Sequence, residues 1–154
     1  MPEAKRLPAL FIDRDGTINR DCPYCHDPGQ IYIYEDAVDL IRKYASMGYL
    51  IIVISNQSGI NRGYFSLEQA MAFNRALKDR VQRMGGRIDD FFICPHRPDE
   101  GCDCRKPRDG LIRQALKKYK IDLENSVFAG DSIEMDGALA KSLGIRFIHL
   151  SHDR

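Results

Sequence analysis

Short apolar runs alternate with amphipathic stretches along the whole chain. Residues 9–13 open with an aliphatic and aromatic run. Ala37, Leu40, Ile41 and Tyr44 then recur at i, i+3, i+4 and i+7, the stripe of a helix lying on a sheet. Residues 50–54 are unbroken aliphatic, as in a strand buried on both faces. Ser66 followed by Gln69 reads as a capping box opening a long helix that fades at Gly85 and Gly86. Residues 88–93 give a third strand, and Leu111, Ile112, Ala115, Leu116 and Tyr119 the next helical stripe. Residues 127–130 give a fourth strand, 135–143 a short helix ended by Gly144, and 145–150 a fifth strand. This order predicts an α/β fold: a single doubly wound, Rossmann-like parallel sheet of about five strands with right-handed crossovers.

There is no repeat, low-complexity tract or linker. The loop content is high: residues 14–35, 55–65 and 94–107 each follow the C-terminal end of a predicted strand. That edge is where open α/β sheets bind ligands, and long loops in a compact domain are usually functional.

Composition narrows the function classes. A length of 154 residues suits one domain spanning 1–154, with no room for a second. Lys plus Arg number 23 against 22 for Asp plus Glu. A net charge of +1 argues against the basic field of a nucleic-acid or anionic-membrane binder. No apolar run is long enough to span a bilayer, and residues 1–8 carry no export signal, so a soluble, cytoplasmic protein, taken as a monomer, is expected. Of the five cysteines, Cys94, Cys102 and Cys104 fall within eleven residues, and Cys22 and Cys25 form a separate pair. Without an export signal, metal binding suits them better than a disulfide framework.

The chemistry concentrates at strand ends. In Asp13-Arg14-Asp15-Gly16-Thr17 two carboxylates stand two residues apart where a strand enters a loop. Alternation along a strand points both to one side, with α-carbons roughly 6 to 7 Å apart, leaving space for a phosphoryl group. One could attack phosphorus while the other handles the proton of the leaving oxygen. Ser55, with Asn56 and Gln57, ends the second strand and can hold a phosphoryl oxygen. Arg105 and Lys106 are cations able to neutralise an aspartyl-phosphate. Asp131 after Gly130, with Asp136 five residues on, suits a hard cation such as Mg²⁺ shared with Asp13.

Cys94, His96, Cys102 and Cys104 supply four soft ligands in one loop, which fits a closed, structural Zn²⁺ site bracing Arg105 and Lys106. Cys22-Pro23-Tyr24-Cys25 is open to three readings: a metal pair, a redox pair or loop thiols. Loop thiols are the default, because a separate zinc site would lack ligands.

These four elements, Asp13 to Thr17, Ser55, Lys106, and Gly130-Asp131 with Asp136, resemble the motifs of the haloacid-dehalogenase-type (HAD-type) phosphatases across nearly the whole chain. The resemblance implies an aspartyl-phosphate mechanism with Asp13 as nucleophile, Asp15 as acid and base, and Ser55 and Lys106 on the phosphoryl oxygens. It also implies Mg²⁺ held by Asp13, the Asp15 carbonyl and Asp131, with Asp136 orienting the site. The Cys/His loop ending in Cys104-Arg105-Lys106-Pro107 resembles the capless branch of histidinol and heptose-bisphosphate phosphatases. The stretch Asn56-Gln57-Ser58-Gly59-Ile60, followed by Arg62-Gly63, is closer to the D-glycero-D-manno-heptose 1,7-bisphosphate 7-phosphatases. By that resemblance Asp21, Cys22, Pro23, Tyr24, Asn56, Gln57, Ser58 and Arg105 contact a small phosphorylated metabolite, and the loops do the work of a cap. Two features depart from the pattern: the cysteine-rich loop after Asn19, and Ser132 where Lys or Arg is expected. The alternatives are a histidinol-phosphate phosphatase and a polynucleotide 3′-phosphatase whose anionic groove is lined by Arg14, Arg62, Arg97, Arg105 and Arg108. A receiver-type phospho-accepting module, from a different class, would have no use for Asp15 or the zinc loop.

Overall fold

A computed structural model describes residues 5–152; residues 1–4, within the stretch read for an export signal, and 153–154 lie outside the described residues. Five parallel strands, β1 (Ala9–Ile12), β2 (Leu50–Asn56), β3 (Asp90–Cys94), β4 (Val127–Gly130) and β5 (Arg146–His149), form one sheet in the order β3-β2-β1-β4-β5. Four helices connect them: α1 (Glu35–Ser46), α2 (Leu67–Arg83), α3 (Gly110–Lys118) and α4 (Ala138–Leu143).

Strand alternation decides which helix covers which face. Leu10, Ile12, Ile51, Val53, Val127 and Ala129 face Ile41 of α1 and Phe73, Leu77 and Val81 of α2. Ala9, Phe11, Ile52, Ile54 and Phe128 face Leu111, Ile112 and Ala115 of α3 and Leu139 and Ala140 of α4. Each fully buried Phe or Ile stabilises the sheet by about 1.5–3 kcal/mol, which is why the unbroken apolar runs became the central strands. The chain winds outward from β1 to β3, returns to β4 beside β1, and so leaves its switch point, the usual ligand crevice, between β1 and β4. Among the described residues no helix is long and apolar enough to cross a membrane.

Ser66 caps α2 as the sequence predicts: its Oγ accepts from Gln69 N at 3.1 Å and Gln69 Oε1 accepts from Ser66 N at 2.8 Å. Three boundaries differ from expectation. Ser55 and Asn56 pair with Ile93 and Cys94 and belong to β2, not to a loop. The Asp89 carboxylate takes the Ile51 N–H at 2.8 Å, so β3 starts after it. Residues expected to open a single helix form a π-helical turn, Ile133–Gly137, before α4. There Gly137 N and Asp136 N both donate to the Ser132 carbonyl, at 3.1 and 2.9 Å, and Asp136 is turned inward to 1% exposure.

Candidate active site

The site assembles at the C-terminal ends of β1, β2 and β4. Asp13 leaves β1 with its N–H still donating to the Ala129 carbonyl at 3.0 Å, so the backbone that carries it is as fixed as the sheet. The Arg14 carbonyl then accepts N–H groups from Thr17, Ile18 and Asn19, closing a tight turn. Gly16 sits at φ 81°, and a β-carbon there would overlap the Asp131 carboxylate, so only glycine fits. Thr17 Oγ1 accepts from Asp131 N at 3.0 Å and lies 3.2 Å from Asp13 Oδ2, tying the loop after β1 to the loop after β4.

Lys106 reaches this centre from the loop before α3 and is 3% exposed. Its ammonium donates to Asp13 Oδ1 at 2.6 Å, Asp136 Oδ1 at 2.8 Å and the Ile54 carbonyl at 2.9 Å, which satisfies all three protons. Burial disfavours the ammonium, but Asp13 and Asp136 outweigh it and raise Lys106 above its usual value. Asn56 uses both ends of its amide on the Lys106 backbone: Oδ1 accepts from Lys106 N at 2.9 Å and Nδ2 donates to its carbonyl at 3.3 Å. One cation faces three carboxylates, since Asp13, Asp131 and Asp136 each place an oxygen within 4.8 Å of the others. Burial, countered by the Lys106 charge and reinforced by Asp136 and Asp131, pushes Asp13 well above the ordinary carboxylate range. A site with this surplus of negative charge and hard oxygen donors fits a divalent cation.

Asp15 is held by a separate set of donors. Its carboxylate accepts from Arg14 Nε and Nη2 at 3.1 and 3.0 Å, from Asn19 Nδ2 at 3.0 Å and from Gln57 Nε2 at 3.0 Å. Gln57 also donates to Ser55 Oγ at 2.5 Å, so both residues are fixed beside Asp15. Arg14 does not line a groove: it is 0% exposed, donates to Asn74 Oδ1 at 2.9 Å and the Cys25 carbonyl at 3.1 Å, and stacks 4.2 Å from the Phe73 ring centre. Asn74 was invisible to the sequence because it reads as one more polar residue of α2.

The cavity above these groups has a volume of about 910 Å³. Asp13, Asp15, Ser55, Lys106, Asp131 and Asp136 line it, as do the expected substrate contacts Asp21, Cys22, Pro23, Tyr24, Asn56, Gln57, Ser58 and Arg105.

A family model described as "Polynucleotide kinase 3 phosphatase" matches residues 21–148. A relative from Thermoplasma acidophilum, named "Probable D-glycero-D-manno-heptose-1,7-bisphosphate 7-phosphatase", is 49% identical over 146 residues, covering 95% of this chain and 91% of the relative. The chain belongs to this family of HAD-like phosphatases. It is therefore an enzyme with phosphatase activity. The Haemophilus influenzae D-glycero-beta-D-manno-heptose-1,7-bisphosphate 7-phosphatase is 37% identical over 132 residues, 82% of this chain and 72% of its own. Among solved structures, the D,D-heptose 1.7-bisphosphate phosphatase of B. bronchiseptica, complexed with magnesium and phosphate, superposes with a TM-score of 0.82 at 30% identity over 92% of this chain and 79% of that one.

In this HAD-like phosphatase the five arginines named for a nucleic-acid groove are divided: Arg14 is buried, Arg105 is in the main cavity, Arg62 and Arg97 line a neighbouring depression, and Arg108 donates to the Cys102 carbonyl. The Cys/His loop does converge: His96 Nδ1 lies 3.4 Å from Cys94 Sγ and 3.1 Å from Cys104 Sγ, Cys94 Sγ lies 3.7 Å from Cys102 Sγ, and the Cys94 and Cys104 sulfurs touch. Cys22 and Cys25, expected as loop thiols, lie across a tight turn: their α-carbons are 5.3 Å apart and Tyr24 between them takes φ 53°.

The sequence also missed His152. Its Nδ1 meets the Gly16 carbonyl at 3.0 Å, its Nε2 meets Asp36 Oδ1 at 2.7 Å, and its ring stacks on Tyr34 with centroids 3.6 Å apart. A histidine near the end of a chain, outside any motif, carries no sequence signal for such a contact.

Proposed function

We propose that the protein is a Mg²⁺-dependent cytoplasmic phosphomonoesterase that removes the 7-phosphate of D-glycero-D-manno-heptose 1,7-bisphosphate or a closely similar sugar phosphate through an aspartyl-phosphate on Asp13. The observation that carries the reaction class is the pairing of Asp13 with Lys106 beside an Asp15 held by four N–H donors. The substrate rests on the names of relatives that align over most of both chains.

An Asp13 oxygen attacks phosphorus in line with the ester oxygen, the P–O ester bond breaks, and the leaving oxygen takes its proton from Asp15 in its protonated form, with one of the four N–H donors turned away from it. Asp15, now a carboxylate, removes a proton from water as that water attacks phosphorus, and the bond to Asp13 breaks to free phosphate. Lys106 and Ser55 face the phosphoryl oxygens, and Arg105 is the guanidinium on the cavity wall for the remaining anionic group. Asp13, Asp131 and the Asp15 carbonyl would hold Mg²⁺, with Asp136 orienting Lys106. When bound, the ion supplies positive charge that lets a phosphate dianion approach the carboxylates.

Zinc is the second cofactor of this reading. Four ligand atoms that all lie within 4.8 Å of one another fit one tetrahedral ion on Cys94, His96, Cys102 and Cys104. A Cys94–Cys104 disulfide would explain only two of the four.

The test is turnover of heptose bisphosphate, other sugar mono- and bisphosphates, histidinol phosphate and a 3′-phosphorylated oligonucleotide, by wild type and Asp13→Asn. We expect preference for the sugar bisphosphate and loss of at least about 10³-fold in the variant. A flat profile would remove the heptose assignment; a preference for the oligonucleotide would move the enzyme to the polynucleotide class; turnover retained by Asp13→Asn would remove the mechanism.

A further inference from the structure

We propose that Cys22 and Cys25 form a reversible dithiol–disulfide site in the wall of the active-site cleft, a modification site whose oxidised form fixes the loop that meets substrate. The two α-carbons are 5.3 Å apart, well inside the span of about 4.4–6.8 Å that a disulfide bridges.

The surroundings give the pair the asymmetry that thiol exchange needs. Cys22 is partly exposed and lines the cavity, whereas Cys25 is 1% exposed. Cys22 is the more exposed of the two and is the one an external thiolate would attack, leaving Cys25 as the sheltered partner that reforms the bridge. This pair shares no residue with the Cys94, His96, Cys102 and Cys104 cluster, and it needs no metal.

The bridge also has something to hold. It closes a four-residue loop in which Tyr24 takes φ 53°, a conformation that an unbridged tyrosine avoids. In that position the Tyr24 ring packs against Tyr64 with centroids 4.6 Å apart, at the mouth of the cleft. At the inner end of the loop the Cys25 carbonyl accepts from Arg14, the guanidinium that pairs with Asp15. The bridge therefore lies between the cleft mouth and the buried cation behind the acid/base carboxylate.

The exchange balances with a dithiol as co-reactant. Its thiolate attacks the Cys22 sulfur, the bond to Cys25 breaks, and the Cys25 thiolate takes a proton. The second thiol of the reductant then attacks the mixed disulfide and expels the Cys22 thiolate, which is protonated in turn. Two electrons and two protons pass to the protein, and the reductant leaves as its own disulfide.

In the reduced enzyme Tyr24 is free to leave the left-handed region, and the loop must be ordered at the expense of binding. KM should rise by about tenfold for that reason, and kcat should fall as far as the loosened Cys25 carbonyl releases Arg14 from Asp15. The full-length protein, purified without reductant, is alkylated with N-ethylmaleimide before and after dithiothreitol and its peptides are mapped by mass. KM for p-nitrophenyl phosphate is measured in parallel, a substrate that keeps the test independent of the heptose assignment. We expect Cys22 and Cys25 to be labelled only after reduction, KM to rise with the labelling, and a Cys22→Ser/Cys25→Ser double variant to show the higher KM with or without dithiothreitol. Full labelling of both residues before reduction overturns the proposal. So does an unchanged KM in the reduced enzyme, or a double variant that still responds to dithiothreitol, since that response would belong to the other cysteine loop.

Discussion

Two buried cations divide the work of the acidic centre between them. Lys106 joins Asp13 to Asp136, and Arg14 joins Asp15 to Asn74 and the loop carbonyl of Cys25. The difference follows from their chemistry. An ammonium satisfies three acceptors around one point, whereas the planar guanidinium grips one carboxylate with two parallel bonds and still stacks on Phe73. Arg14→Met keeps the volume and removes the grip. We expect kcat to fall about 10²-fold with KM little changed, as for a displaced acid/base group, and stability to fall by on the order of 3 kcal/mol because a charged partner is left behind. Steady-state kinetics and urea unfolding check the two parts separately. Unchanged kcat in a folded Arg14→Met protein would mean that Asn19 and Gln57 alone position Asp15.

At the scale of elements, the loop between β3 and α3 is the one that must be stiff, because it delivers Lys106 to the sheet. Cys102→Ser removes one of its four candidate ligands, and we expect the protein to lose about one zinc per chain, to melt roughly 10 °C lower and to lose activity through Lys106. Metal analysis and calorimetry read this directly, and wild-type zinc content and melting in the variant would leave the loop without its metal. The same scale shows what the chain discloses about itself. The unbroken run at 50–54 and the Ser66/Gln69 pair act through neighbours in sequence, so β2 and α2 were legible. The start of β3 and the π-helical turn before α4 were not, because they depend on Asp89 meeting Ile51 and Asp136 meeting Lys106, partners 38 and 30 residues away. In the site, Asp13, Asp15 and Asp131 were visible because each stands in a motif at a strand end, and Lys106 because it follows the Cys/His loop beside Arg105 and Pro107. Arg14 was misread, because a guanidinium between two aspartates looks like surface until Asn74, 60 residues on, turns out to receive it. His152 touches the same turn from 136 residues away, and nothing local announces it.

At the scale of the whole molecule, the residues after β5 run back to the switch point, where His152 meets the turn at Gly16 beside the cavity. Both ring nitrogens of His152 face acceptors, the Gly16 carbonyl and the Asp36 carboxylate. Burial works against the charge, but those two acceptors prevail and raise His152 above its usual value. A histidine raised on folding gives its full contribution below the unfolded value of about 6.5 and loses it as pH climbs through the folded one. Wild type should therefore melt above His152→Gln at pH 6, and the gap should narrow by pH 9; a constant gap in calorimetric scans would mean that packing on Tyr34 does the work instead. The three bonds of Lys106 bear on how the enzyme comes into being. They join a residue after β1, a carbonyl of β2 and a residue after β4, which are far apart in the chain and meet only once the central strands are paired. No partly assembled chain can possess a working centre, so catalysis is a gauge of the completed sheet. Activity and far-ultraviolet ellipticity should vanish together, at one midpoint, as urea is raised.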